Sequence, residues 1–376
     1  IQGRAFNSSG IPAGFDTQVN TYTTDRQLSP GVAVNDSGNF VVVWTSQDMS
    51  GYDSNIKARR YGPDGQPIGD EFQVNTFTTN WQRSPAVAMN ADGAFVVVWS
   101  SYGSFASDDY DESIQGQRFD SDGSPVGDQF QINTYTTWYQ IAPAVGMNVA
   151  GDFVVVWASF GSYGSDNLGT SIQGRIYNSN GVAVGPQSQV NTYITLDQRS
   201  PEVAVRGDGV FVVVWESFGP GEGDGSSYGY SIQGRIYNSN GLPFGPEAQI
   251  NTYTTGDQRF PDVAADREGN FVVVWRSEGS SGNDDSDMSI QGRVYASNGL
   301  PVGPDFQINT YTTNDQSSPS VEFDARGHGA VVWGSEGSSG SDAMGFSIQG
   351  QRFALPLIFG DGFESGDADA WSSSAP

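Results

Sequence analysis

Apolar runs of β-branched residues ending in tryptophan, such as Phe211-Val212-Val213-Val214-Trp215, recur six times and close at Trp44, Trp99, Trp157, Trp215, Trp275 and Trp333. Their spacings are 55, 58, 58, 60 and 58 residues. A fixed period of this size means that each unit cannot bury its apolar face alone and must stack on its neighbours. One unit predicts four strands. Residues 200–205 alternate as strand A, and Gly207-Asp208-Gly209 turns the chain into strand B at residues 211–215. Strand B is apolar on both faces, as a central strand covered on both sides must be. A Gly/Ser/Asp loop leads to strand C at residues 231–237. The hairpin turn Asn238-Ser239-Asn240-Gly241 follows, where Asn-Gly tolerates positive φ, and then strand D at residues 249–254. No window sustains helical periodicity.

Four antiparallel strands per unit in six copies predict an all-β fold, a six-bladed β-propeller of four-stranded antiparallel blades. A parallel β-helix also repeats, but its coils are shorter and lack Asn-Gly hairpins. The propeller is expected over residues 1–353, with residues 354–376 as a C-terminal tail. The C motif occurs seven times, starting at Ile1, Ile56, Ile114, Ile172, Ile232, Ile290 and Ile348. The ring is therefore expected to close by pairing of N- and C-terminal strands, the last blade taking its D strand from residues 18–22. Residues 1–6 and 348–353 then compete for one position, and the spare strand is expected to add to a neighbouring subunit and give filaments. The B–C loops and D–A linkers are long and varied and share one face, where function is expected.

Composition narrows the partners. The 376 residues carry Lys+Arg 17 against Asp+Glu 43, a formal net charge of −26, and Lys57 is the only lysine. Nucleic acid and anionic membrane surfaces are poor partners for such a chain. No apolar run approaches the ~18 residues that cross a bilayer. There is no cysteine, which excludes disulfides and thiolate chemistry. The chain opens at Ile1 inside a repeat and without Met, as expected where a secretion signal has been removed.

The unit containing Ser231-Ile232-Gln233-Gly234-Arg235, Gln249-Ile250-Asn251-Thr252-Tyr253-Thr254 and the Val-Val-Val-Trp run resembles a repeat of large secreted and cell-surface bacterial proteins. These include adhesin-like proteins that also carry calcium-binding repeats. The tail segment Asp361-Gly362-Phe363-Glu364-Ser365-Gly366-Asp367 resembles a C-terminal segment of exported proteobacterial proteins. The resemblance implies an extracellular or cell-surface location and a structural or adhesive role, with self-association or another surface protein as partner.

Candidate chemistry is sparse. His328, the only histidine, stands in an A–B turn and reads as a solvated turn residue. Glu216, Glu278 and Glu336 follow strand B, and recurrence of the last two at one repeat position favours a structural or solvated role. The strand-C arginines Arg4, Arg59, Arg175, Arg235 and Arg293 come one per blade and are expected to stack on the aromatic two residues on. The expectation is thus of no enzyme and no catalytic residue. Asp108, Asp109, Asp111, Asp166, Asp284, Asp285 and Asp287 lie in Gly-rich B–C loops and are candidate Ca²⁺ ligands, the alternative being a solvated acidic loop. Trp81, Trp138 and Tyr139 interrupt D–A linkers, with Tyr102, Phe105, Tyr110, Phe160 and Tyr163 in the adjoining loops. They are candidates for a protein- or glycan-binding surface, with packing of the loops on each other as the alternative. A lectin-like, carbohydrate-binding module is the second functional reading, and a glycoside-acting enzyme the third.

Overall fold

The computed structural model describes residues 1–7, 10–12, 14–49, 51, 53–103, 111–161, 164–166, 169–219, 229–280, 282–284, 287–324, 327–337, 345–354 and 358–362. All regular structure among them is strand. Six four-stranded antiparallel sheets form the blades of a β-propeller, as the repeat predicts. The chain divides into two compact units. The first holds Ile1–Thr195 with the turn residues 207–209 and 239–241; the second holds Leu196–Arg206, Val210–Asn238 and Leu242–Pro376.

The first unit opens with a hairpin, β1 (Gln2–Gly3) and β2 (Thr17–Gln18). Sheet 1 is β3 (Arg26–Val34), β4 (Phe40–Gln47), β5 (Ser54–Tyr61) and β6 (Phe72–Gln73). Sheet 2 is β7 (Gln82–Met89), β8 (Phe95–Tyr102), β9 (Glu112–Phe119) and β10 (Phe130–Gln131). Sheet 3 is β11 (Gln140–Met147), β12 (Phe153–Phe160), β13 (Thr170–Tyr177) and β14 (Ser188–Gln189). The core explains why strand B does not alternate. Val97 and Trp99 of β8 bury against Val41, Val43 and Ile56 of sheet 1. Val96 and Val98, on the other face, bury against Val155 and Trp157 of sheet 3. Each such side chain contributes about 1.5–3 kcal/mol by leaving water.

The second unit repeats this plan. Sheet 4 is β15 (Gln198–Val205), β16 (Phe211–Phe218), β17 (Tyr230–Tyr237) and β18 (Ala248–Gln249). Sheet 5 is β19 (Gln258–Ala265), β20 (Phe271–Glu278), β21 (Met288–Tyr295) and β22 (Phe306–Gln307). Sheet 6 is β23 (Gln316–Phe323), β24 (His328–Glu336), β25 (Phe346–Ala354) and β26 (Ile358–Gly362). Val212, Val214 and Ile232 pack on Val273 and Trp275, and Val272 and Val274 pack on Val331 and Trp333.

Polar members of the repeat hold the ladder together. Every strand-B tryptophan donates its indole N–H to the glutamine 17 residues before it, at the first or second position of the preceding strand; Trp99 reaches Gln82 Oε1 at 2.9 Å and Trp275 reaches Gln258 Oε1 at 3.0 Å. The asparagine of the Gln-Ile-Asn-Thr-Tyr segment ends the very short fourth strand: Asn133 Oδ1 accepts from Ile114 N at 2.8 Å. A side chain 53 residues on then clasps the segment, Gln129 Oε1 accepting from Thr76 N and Asp305 Oδ2 from Thr252 N, at 2.8 and 2.5 Å.

The expected pairing of N- and C-terminal strands is not formed. β1 and β2 pair with each other, Gln2 opposite Gln18, and Ile1 and Val19 pack on Val42, Trp44 and Tyr61. Sheet 6 keeps its own third strand and takes β26 as its fourth, so residues 18–22 do not supply it. The reason is that fourth strands contribute only two-residue ladders in sheets 1 to 5, too short for the sequence to specify which segment fills the last one.

Candidate active site

The leading strands of the second unit carry the acids that matter. Each leading strand has a proline at its fourth or fifth position, where the missing N–H breaks the ladder, and the register shifts there, between Arg259 and Asp262 on β19 for example. The residue after this proline is Gly31, Ala86 and Ala144 in the first unit, but Glu202, Asp262 and Ser320 in the second. Two residues further the chain has Ala33, Ala88, Gly146, Ala204 and Ala264, and then Glu322. β15 lies beside β19 and β19 beside β23, so three carboxylates occupy neighbouring edge strands at positions that the first unit fills with small residues.

Asp262 is central. Its Oδ2 accepts from Val321 N and its Oδ1 from Val263 N, both at 2.8 Å, so one carboxylate bridges the free edges of two strands. Burial pushes its pKa up, and these backbone donors pull against that rise. Glu202 is held well above the ordinary glutamate value, first by burial and then by the Asp262 charge. Glu322 is raised to about 7 by the same two causes, with Phe323 N–H opposing. Glu202 and Asp262 are half-buried; Glu322 is exposed, so water tempers the cost of charging it. Like-charged neighbours of this kind cannot all ionise together at neutral pH, and one set of side chains then offers both a proton donor and a proton acceptor.

Beside these strands lies a second group. Glu216, read from the sequence as solvated or structural, is fully buried; its Oε1 accepts from Phe260 N at 2.7 Å and its Oε2 lies 3.4 Å from Arg259 Nε. Arg259 stacks 4.3 Å from the Tyr230 ring centroid. Glu278 and Glu336 are exposed.

Other sequence candidates fall out differently. Trp138, Tyr139 and Phe160 are exposed, and Trp138 meets Phe160 edge-on at 5.9 Å. Trp81 is half-buried; it packs edge-on against Tyr102 at 5.7 Å and donates to Gly51 O at 2.8 Å. Arg83 lies over it at 5.5 Å and is held by Glu112 at 2.6 Å. Phe105, Tyr110 and Tyr163 lie outside the described residues, as do Asp108, Asp109 and Asp285. Asp166 and Asp284 are buried and accept from Asn191 and Asn309 at 3.0 and 2.7 Å, which places them in the repeat's hydrogen-bond ladder. Among the described residues no group of acids, Asp111 and Asp287 included, is arranged to hold a metal ion. The strand-C arginines stack as expected; Arg175 is 5.5 Å from the Tyr177 ring and Arg293 is 5.6 Å from Tyr295. His328 is exposed, its Nδ1 3.0 Å from Asp324 in the turn.

Glu202, Asp262 and Glu322 are not marked by the alternation of strand A, which is the same pattern in every copy. The signal is the departure of single copies from the small residues at the positions after the proline.

No protein-family model and no curated protein matches the chain. Solved structures match the fold. A protein of unknown function from Dyadobacter fermentans aligns over 89% of this chain and 96% of its own at 11% identity, with a TM-score of 0.54. An α-L-arabinanase of Penicillium chrysogenum, complexed with arabinobiose, aligns over 90% and 96% at 14% identity, with a TM-score of 0.52. An α-L-arabinofuranosidase of Fusarium graminearum, in complex with an iminosugar inhibitor, aligns over 88% and 95% at 14% identity, with a TM-score of 0.53. The expectation of a non-catalytic structural or adhesive component, and of no enzyme, is corrected here. Enzymes that act on glycosides share this architecture over nearly its whole length. The carboxylates of β15, β19 and β23 are acids of raised pKa at positions outside the sequence candidates.

Proposed function

We propose that the protein is a glycoside-cleaving enzyme whose chemistry is carried by Asp262, Glu322 and Glu202. The observation that supports this most is the placement of three carboxylates on adjacent leading strands of one unit, with the charge of Asp262 raising the pKa of both glutamates. Glycoside hydrolysis needs one carboxylic acid to protonate the departing oxygen and one carboxylate to activate water or attack the sugar. Glu322, accessible and half protonated near neutral pH, is the acid, giving its proton to the glycosidic oxygen as the C–O bond breaks. Asp262 is the carboxylate acting at the anomeric carbon, oriented by two backbone N–H groups that favour its charged form against the burial that raises its pKa. Glu202 keeps its proton to higher pH than an ordinary glutamate and is a hydrogen-bond donor to a sugar hydroxyl while it does. The arabinose-acting neighbours make arabino-oligosaccharides the first substrates to try. Reducing-sugar release from arabinobiose, longer arabino-oligosaccharides and a panel of other neutral glycans tests the proposal. Asp262→Asn and Glu322→Gln are expected to lose at least 100-fold in kcat/KM while melting normally. Equal turnover by wild type and both variants, or none by wild type on any glycan, overturns it.

A second contact with glycan is favoured by one observation in the first unit. Trp138 has φ of 62°, a conformation filled by Asn80, Leu196, Gly256 and Asn314 at the matching linker positions, and it is the one aromatic among them, 54% exposed. A large aromatic held there with Tyr139 and Phe160 is a surface for stacking a sugar ring. Trp138→Ala is expected to weaken retention on polysaccharide without altering turnover of a disaccharide.

A further inference from the structure

We infer that Phe260 is the stacking platform of a sugar subsite next to the carboxylates, framed by Arg259 and Arg276. The inference rests on the glycoside-cleaving reading and names a specificity-determining residue for it.

The bulge before each leading-strand proline puts one residue at positive φ. That residue is Ser29, Ser84, Ala142, Ser200 and Ser318 in five sheets and Phe260, with φ of 53°, in sheet 5. A bulky residue in the left-handed region is strained, and such strain persists where the surroundings impose it and function uses it. The surroundings here do impose it. Phe260 N is held by the buried carboxylate of Glu216, and the Phe260 ring lies 5.2 Å from the Arg259 guanidinium and 4.7 Å from that of Arg276.

The supporting residues are themselves departures from the repeat. The position after the strand-B tryptophan is Thr45, Ser100, Ala158 and Gly334 in four sheets, but Glu216 and Arg276 in sheets 4 and 5. Arg276 stands directly opposite Arg259 in the β19–β20 ladder, a like-charged pair that destabilises a sheet. Arg276 Nε is buried and makes no hydrogen bond. Glu216 pairs with Arg259, and both guanidinium groups lie over the Phe260 ring. Together they fix a ring that remains 38% exposed, two residues from Asp262 on the same strand. The C–H face of a neutral sugar stacks on the exposed part of such a ring, along the strand from Asp262.

Phe260→Ser installs the residue that four of the other sheets carry, so it removes strain while deleting the platform. The test measures binding of arabinobiose and of neutral arabinose, xylose and galactose oligosaccharides by calorimetry, in an Asp262→Asn background that suppresses turnover. Phe260→Ser is expected to melt no lower than its parent and to bind at least tenfold more weakly, while Phe260→Trp stays within about threefold. Affinity within twofold for Phe260→Ser, or no binding of any of these sugars by the parent, overturns the inference. The two readings fail separately. Loss of turnover in Asp262→Asn with unchanged binding by Phe260→Ser sinks the platform alone. Weakened binding by Phe260→Ser of a sugar that wild type never cleaves sinks the catalytic role alone.

Discussion

Glu322→Gln tests whether the carboxylates share a field as the structure places them. Glu322 ionises from an ordinary value of 4.5 when unfolded and at about 7 when folded, so the native state binds its proton more tightly. Its contribution to stability is therefore fully present below pH 4.5 and is lost as pH rises through about 7. Taken in full, the rise from 4.5 to about 7 corresponds to at most about 3.4 kcal/mol. The side chain is exposed, and solvent screening brings the measurable effect to about 1 kcal/mol. Glutamine cannot ionise. Urea unfolding should therefore find Glu322→Gln equal to wild type near pH 4 and more stable by about 1 kcal/mol at pH 8. Repeating the comparison with Asp262→Asn removes the second cause of the shift, and the gain at pH 8 should shrink without vanishing, because burial is the larger cause. A difference between Glu322→Gln and wild type that is the same at pH 4 and pH 8, or unaffected by Asp262→Asn, refutes the coupled site. The same ionisation sets the alkaline limb of kcat/KM, whose midpoint lies above the ordinary glutamate value.

Three further outcomes follow from the packing. Trp275→Ala, which empties a fully buried site and strands Gln258 Oε1, should cost about 3–5 kcal/mol in denaturant unfolding. Trp138→Ala, at an exposed position, should stay within about 0.5 kcal/mol of wild type in the same assay. Gln129→Ala leaves Thr76 N and Phe77 N without their acceptor and should cost about 1–3 kcal/mol, with faster amide hydrogen exchange confined to that segment.

The sheets were legible because each strand-B run reports burial on two faces, and only a sheet sandwiched between sheets satisfies that at a 58-residue period. The Gln-Ile-Asn-Thr-Tyr segments were legible as strands, yet what they do was not. Asn133 and Gln129 act through hydrogen bonds to Ile114 N and Thr76 N, partners no pattern of polarity reveals. The fate of the termini was hidden for a related reason. β26 has three ladder partners on β25, and the competing segment near Gln18 offers a comparable pattern. Among the acids, the Gly-rich B–C loops stand out by their density of aspartates, whereas Glu202, Asp262 and Glu322 are single substitutions inside strands whose environment appears only when β15, β19 and β23 lie side by side.

A sixfold repeat supplies its own control. Where all copies agree, as at the tryptophan and its glutamine, the residue serves the packing that every blade needs, and agreement says nothing about chemistry. Where a copy departs at a cost, the departure needs another reason. A carboxylate replaces Gly or Ala beside a proline bulge at Glu202 and Asp262, a second acid replaces Ala at Glu322, and a phenylalanine takes a left-handed turn that serine fills elsewhere. Each raises the energy of the fold through charge burial, like-charge repulsion or backbone strain, and stable packing would favour reverting all of them. That they fall on three consecutive leading strands of one unit, while the first unit keeps Gly31, Ala86 and Ala144, points to selection for chemistry at that place.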